Sequence, residues 1–228
     1  MAQLFHYRRV DTDMAAVATL ERDAELMLRV REGDAESFAL LLERHRRPVI
    51  HFMYRMIQDQ AVAEELAQEV FLRVYRARST YEPTAKFTTW LFRIATRLAL
   101  NWIRDNQKKI ANHASLDEDP ADGPAVQLAD TRPNVEEELL RRARCEEIKR
   151  AIARLPEKQR AAVLMHKYSE MEYSQIASVL GCSESAVKSL LFRAYETLRK
   201  RLVHLAVSPV KGAPDESGGS GKSGPRIR

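Results

Sequence analysis

The chain runs to 228 residues, 45% hydrophobic and 30% charged, with a formal net charge of +5 at pH 7. That balance excludes collagen-like, low-complexity and cysteine-scaffold proteins and leaves material for one large core or two small ones. The basic excess suits a polyanionic partner. The cysteines, Cys145 and Cys182, have neither CxxC spacing nor a neighbouring histidine pair. Neither a disulfide framework nor a zinc site is expected, and no cofactor is assigned. The opening residues, MAQLFHYRRVDTD, lack the apolar centre of a signal peptide. The longest apolar-looking stretch, Trp90 to Ile103, is interrupted by Arg93 and Arg97. No membrane insertion is expected, and the expected compartment is the cytoplasm.

In chain order, residues 1–22 show weak periodicity and read as a flexible arm. Over 23–110 the apolar spacing is helical almost throughout, broken at Gly33-Asp34, near Gln58-Asp59 and at Tyr81-Glu82-Pro83-Thr84. Residues 111–135 hold Pro120, Gly123, Pro124 and Pro133 among acidic and small residues, the composition of a linker. Helical spacing resumes over 136–205, punctuated at Leu155-Pro156. The remainder, 206–228, reads as a disordered tail. Strand-type alternation is absent, so the expected fold is all-α, two small helical domains joined by a flexible acidic linker. Charge follows the same division. Residues 86–110 carry six basic side chains against one acid, and residues 111–138 carry eight acids against one base. A Gly221-Lys222-Ser223 triplet imitates the end of a phosphate-binding loop, but Glu216 stands where the leading glycine belongs and Pro225 blocks the helix that should follow.

Three stretches carry chemistry. In KFTTWLFRIATRLALNWIRDNQKK, a helix from about Thr88 puts Leu91, Ile94, Ala95, Leu98 and Trp102 on one face. Arg93, Arg97, Asn101, Arg104 and Lys108 fall on another, a nearly unmixed cationic row suited to phosphates and base edges. Tyr81 and Phe87 flank the preceding Pro-containing loop. Aromatics beside cations suit unstacked bases, although loop aromatics are more often anchors into their own core.

Upstream, AEELAQEVFLRVYR buries Leu66, Val70 and Val74 in a helix and leaves Glu65, Gln68, Glu69 and Tyr75 outside, with Phe71 at the edge. That face fits a partner-docking surface, or a magnesium nuclease built on Glu64, Glu65 and Glu69. Near the other end, YSQIASVLGCSESAVKSLLFRAYETLRKR reads as a helix stopped by Gly181, a tight turn, and a second helix capped by Ser183. Val187, Leu190, Leu191, Ala194 and Leu198 form the second helix's buried stripe. This is the pattern of a helix-turn-helix, whose second helix can enter a major groove. A stand-alone regulator would use this motif alone.

These three stretches, in this order and covering roughly 23–201, resemble the bacterial RNA polymerase sigma factors of the compact extracytoplasmic-function (ECF) type. The resemblance implies core RNA polymerase and promoter DNA, duplex and melted, as partners, and no enzyme activity in the chain itself. Glu65, Gln68, Glu69, Phe71 and Tyr75 match the face that docks on the clamp of the polymerase largest subunit. Ser79, Tyr81, Lys86 and Phe87 belong to the segment that captures a flipped base of the minus-ten element. Trp90, Arg93, Arg97, Asn101, Arg104 and Lys108 lie on the helix that reads and melts it. Ser183, Glu184, Ser185, Lys188, Ser189, Phe192 and Arg193 match the reader of the minus-thirty-five element. An anti-sigma protein is the usual restraint in such families. The chain departs from the common pattern at Val62, Arg97, Glu172 and Leu190, and Leu91 follows Trp90 where the housekeeping type has a second tryptophan.

Overall fold

A computed structural model describes residues 22–113 and 135–207, and over these it is wholly helical. The arm, most of the acidic linker and the tail expected from the sequence, with the glycine-lysine-serine triplet, lie outside the described residues. The first domain comprises α1 (22–31), α2 (Ala35–Ile57), α3 (Gln60–Arg76), a 3-10 turn (Arg78–Thr80) and α4 (Phe87–His113). The second comprises α5 (Val135–Ala153), α6 (Glu157–Tyr168), α7 (Tyr173–Leu180) and α8 (Glu184–Val207).

Local chemistry sets the breaks. Asp34 caps α2, its carboxylate accepting from the backbone N–H of Glu36 at 2.9 Å and of Ser37 at 3.2 Å. Asp59 caps α3 in the same way through the Val62 N–H at 3.0 Å. Between them Gln58 turns left-handed (φ 65°) and donates its side-chain amide to the Tyr54 and Arg55 carbonyls, satisfying the open end of α2. Pro48 does not break α2, although it removes a donor and crowds the Arg44 carbonyl. The apolar stripe through Leu41, Val49, Phe52 and Met53, all buried, holds the helix across it.

α4 is the central helix. Leu91, Phe92, Ala95, Leu98 and Ala99 are buried among α2, α3 and α7, with Phe92 edge-on to Phe52 at 5.2 Å. The apolar face drawn from the sequence is rotated slightly, since Ile94 and Trp102 are half-buried and Phe92 and Ala99 lie deeper. In the second domain α6 takes the equivalent place, with every residue from Ala161 to Met165 buried. α8 buries Val187, Leu191 and Ala194 and half-buries Leu190 and Leu198.

The two domains also pack on each other. Arg160 of α6 donates to the Met56 carbonyl at the end of α2 and to Leu155 O at 3.1 Å. The Arg55 guanidinium sits 4.0 Å from the Tyr168 ring centre. Gln107 of α4 donates to Glu157 at 2.9 Å. A linker long enough to hold the domains apart is thus compatible with a closed arrangement, stabilised by contacts that no local pattern announces.

Leu91→Ala removes a side chain with no exposure from the buried face of α4. Denaturant unfolding should show a loss of about 2–5 kcal/mol.

Candidate nucleic-acid interface

The cationic row on α4 exists as a row but not as a uniform surface. Arg97, Asn101, Arg104 and Lys108 are exposed. Asn101 accepts from Arg104 at 3.2 Å, so these two side chains support each other. Arg93 is different. It is half-buried, its Nη2 donates to the Ser178 hydroxyl of α7, and its Nε is buried with no partner. A second link, from Gln175 of α7 to the Thr89 hydroxyl at 3.4 Å, lies one turn away. The helix-turn-helix thus covers the N-terminal end of the α4 row.

In the preceding loop, Tyr81 is 2% exposed and Phe87 fully buried. The two aromatics therefore anchor the loop and do not present their faces to solvent. Tyr81 meets Trp90 at 4.9 Å and Phe87 at 6.3 Å; Trp90 itself is half-buried. Ser79 and residues 82–86, including Lys86, form the exposed part.

The turn between α7 and α8 follows its sequence logic. Gly181 takes φ 65°, and the Ser183 hydroxyl accepts from the Ala186 N–H at 3.2 Å. Gln175 accepts from the Glu172 N–H at 2.9 Å, one half of a capping box that lets Glu172 start α7 without a serine. On α8, Ser189 donates to the Ser185 carbonyl at 3.0 Å and Ser183 pairs with Ser185 at 2.9 Å. The side chains left outward are Glu184, Lys188, Phe192 and Arg193. Phe192 is 69% exposed, a large ring with no part in the core.

The α3 face is half of a larger feature. An apolar groove of about 640 Å³ runs between α2 and α3, lined by Phe38, Leu42, Arg46 and Ile50 on one side and Gln68, Phe71, Leu72 and Tyr75 on the other. Phe71 is buried in its floor; Leu72 and Tyr75 stand on the rim, 50% and 42% exposed. Phe38 packs on Tyr75 at 5.1 Å, and Arg78 stacks over the same ring at 4.2 Å. Glu65 and Gln68 are exposed beside it, while Glu69 is tied to Arg73 at 2.7 Å. The α2 wall was missed in the sequence. Its signal is the apolar set Phe38, Leu42 and Ile50, more than one buried stripe can use.

A polar cluster centred on the buried Asp23 lies near the loop. Asp23 of α1 accepts from Arg44 at 2.7 Å and from His45 Nε2 at 2.8 Å. Burial pushes the Asp23 carboxyl up, but the hydrogen bonds from His45 and Arg44 outweigh it and hold the pKa below the usual value. Among the described residues no group of three His, Cys, Asp or Glu is arranged to hold a metal, and Glu64 is occupied with Gln60. No described helix is long and apolar enough to cross a membrane.

Comparison with known proteins gives these surfaces a common setting. Residues 41–109 match the family Sigma-70 region 2, and residues 145–198 match Sigma-70, region 4. The RNA polymerase sigma factor CarQ of Myxococcus xanthus is 33% identical over 179 residues, covering 78% of this chain and 97% of that protein. The RNA polymerase sigma-H factor of Pseudomonas aeruginosa is 29% identical, covering 81% and 95%. Among solved structures, CnrH in complex with the cytosolic domain of CnrY superposes with a TM-score of 0.57 at 20% identity, covering 82% of this chain and 99% of that one. The Bartonella quintana sigma factor RpoE with the anti-sigma factor NepR gives 0.59 at 18%, covering 74% and 98%; these two likenesses show the fold. The chain belongs to the ECF type of RNA polymerase sigma factors, the transcription initiation subunits that bring core polymerase to promoters.

The Asp23 cluster has a pH signature. A carboxyl with a depressed folded pKa contributes stability above the unfolded value, about 4, and loses it as pH falls through the folded value. Relative to Asp23→Asn, the wild type should lose stability only below about pH 4 in denaturant melts. A gap that is constant down to pH 2 would contradict the hydrogen-bonded carboxylate.

Proposed function

We propose that each surface of this sigma factor has one task. The groove between α2 and α3, lined by Gln68, Phe71 and Tyr75 with Glu65 and Glu69 on the same helix beside it, takes the clamp helices of the polymerase largest subunit. Exposed residues of the loop, Ser79 and Lys86 among them, capture a minus-ten base in the melted strand, with Tyr81 and Phe87 as its footings. Trp90, Arg93, Arg97, Asn101, Arg104 and Lys108 of α4 read and melt that element. Glu184, Ser185, Lys188, Phe192 and Arg193 of α8 read the minus-thirty-five duplex, where the exposed Phe192 ring suits a thymine methyl and Arg193 suits a guanine edge. Ser183 and Ser189 support α8 from within. Units 23–110 and 136–205 act as the two DNA-reading bodies, and 111–135 joins them. The chain acts in the cytoplasm, has no catalytic residues of its own and serves a specific stress-response regulon. An anti-sigma protein competing for the groove and α4 restrains it.

The groove is the observation that carries this reading. A stand-alone DNA-binding regulator has no use for an apolar channel rimmed by half-exposed Leu72 and Tyr75 on the domain opposite its helix-turn-helix. Because Leu72 is half exposed, Leu72→Glu should leave unfolding unchanged while weakening core-polymerase binding about tenfold or more in a titration. Unaltered affinity would remove the groove from the account. Arg193→Ala in the reconstituted holoenzyme should cost ~1–3 kcal/mol of promoter binding, confined to templates with one particular minus-thirty-five base. An even loss with a shallower salt dependence would make Arg193 a phosphate contact.

A further inference from the structure

The loop between α3 and α4 is held by more chemistry than packing requires. Asp23 is 1% exposed, and each of its oxygens is taken by a different residue of α2, Oδ1 by Arg44 and Oδ2 by His45. Withdrawing a carboxylate from water is costly, and apolar residues of similar volume commonly stabilise such a contact as well or better. What apolar residues do less well is fix a ring in one orientation. The ring fixed here is His45, whose centre lies 5.3 Å from that of Phe87. Phe87 is where the loop ends and α4 begins. It in turn meets Trp90 at 5.9 Å and Tyr81 at 6.3 Å, and Arg31 of α1 reaches the Tyr81 carbonyl at 3.5 Å. The Tyr81 hydroxyl is buried without a partner. Burial first, and the Asp23 charge second, push its pKa up and keep it neutral. A buried hydroxyl left unpaired is costly, so its position is held by the surrounding packing. The loop thus hangs from two aromatic footings, Tyr81 tied to α1 through its carbonyl and Phe87 set against His45 of α2, while residues 82–86 between them are exposed.

We propose that Asp23, Arg44 and His45 are positioning residues for base capture: the Asp23 carboxylate orients His45, and His45, through Phe87, sets the place of the 82–86 arch above α4. None of the three touches DNA in this account. The inference rests on the reading of this loop as the minus-ten reader, and it extends that reading to α1.

The test uses holoenzyme reconstituted from core polymerase and the full chain. A template library randomised across the minus-ten region is transcribed, and the enrichment of each base at each position is read from the transcripts. Wild type should enrich a defined set; if it enriches none, the sigma reading beneath the proposal fails. Given enrichment, His45→Ala should lose about fivefold in discrimination at one or two adjacent positions, the worth of about one hydrogen bond. Its core-polymerase affinity should stay at the wild-type level. His45→Gln, whose amide can still reach Asp23, should recover most of the discrimination. Asp23→Asn should reproduce the selective loss, and it serves as the readout if His45→Ala does not fold. Unchanged discrimination in both variants would overturn the proposal. So would an even fall at all positions accompanied by weaker polymerase binding, which would mark the cluster as merely structural.

Discussion

Everything in this structure depends on α4 having two incompatible faces. One face must be apolar enough to join α2, α3 and α7, and it buries Leu91, Phe92, Ala95, Leu98 and Ala99 to do so. The other must keep guanidinium groups in water, because a buried and unpaired charge would cost more than the packing returns. A helix satisfies both because positions three and four apart share a face. The position of α4 then dictates the rest: the pairing of α2 and α3 that leaves the groove between them, the loop that leads into its first turn, and the seat on which α7 rests.

Arg93 stands at the boundary between those faces. Its guanidinium is half-buried and bonded to Ser178, so the same residue that begins the cationic row also joins the two domains. Arg160 plays a comparable part from the other side, half-buried against the end of α2 with backbone carbonyls as acceptors, where the helix dipole favours a cation. In the closed arrangement, part of α4 is covered by the domain that carries α7 and α8. Exposure of the whole α4 row requires α7 to move away. Separation of α7 from α4 would give up two polar contacts, Arg93 to Ser178 and Gln175 to Thr89.

Local rules made much of this legible in the sequence. The breaks at Gly33-Asp34 and Gln58-Asp59 follow from the spacing, and the structure shows what makes each: a glycine or glutamine with positive φ followed by an aspartate cap. The same holds for Gly181 and Ser183. The faces of α3, α4 and α8 follow closely from spacing, because a helix fixes which side chains are neighbours, with the apolar face of α4 turned slightly toward Phe92 and Ala99. Long-range pairings were not legible. Phe38, Leu42 and Ile50 become a groove wall only when α3 lies beside α2, and Asp23 becomes a buried acceptor only when α2 brings Arg44 and His45 to it. Tyr81 and Phe87 illustrate the limit well. Their type and place beside a basic helix suit base stacking, yet both rings are spent on holding the loop.

The measurement that bears most directly on the account is transcription by core RNA polymerase on genomic DNA, with and without this chain, with every RNA start mapped. The account predicts new starts that share two upstream elements, separated by the span the two domains bridge on polymerase. No new starts, together with sequence-specific duplex binding by the folded chain alone, would contradict it and leave a stand-alone regulator in its place.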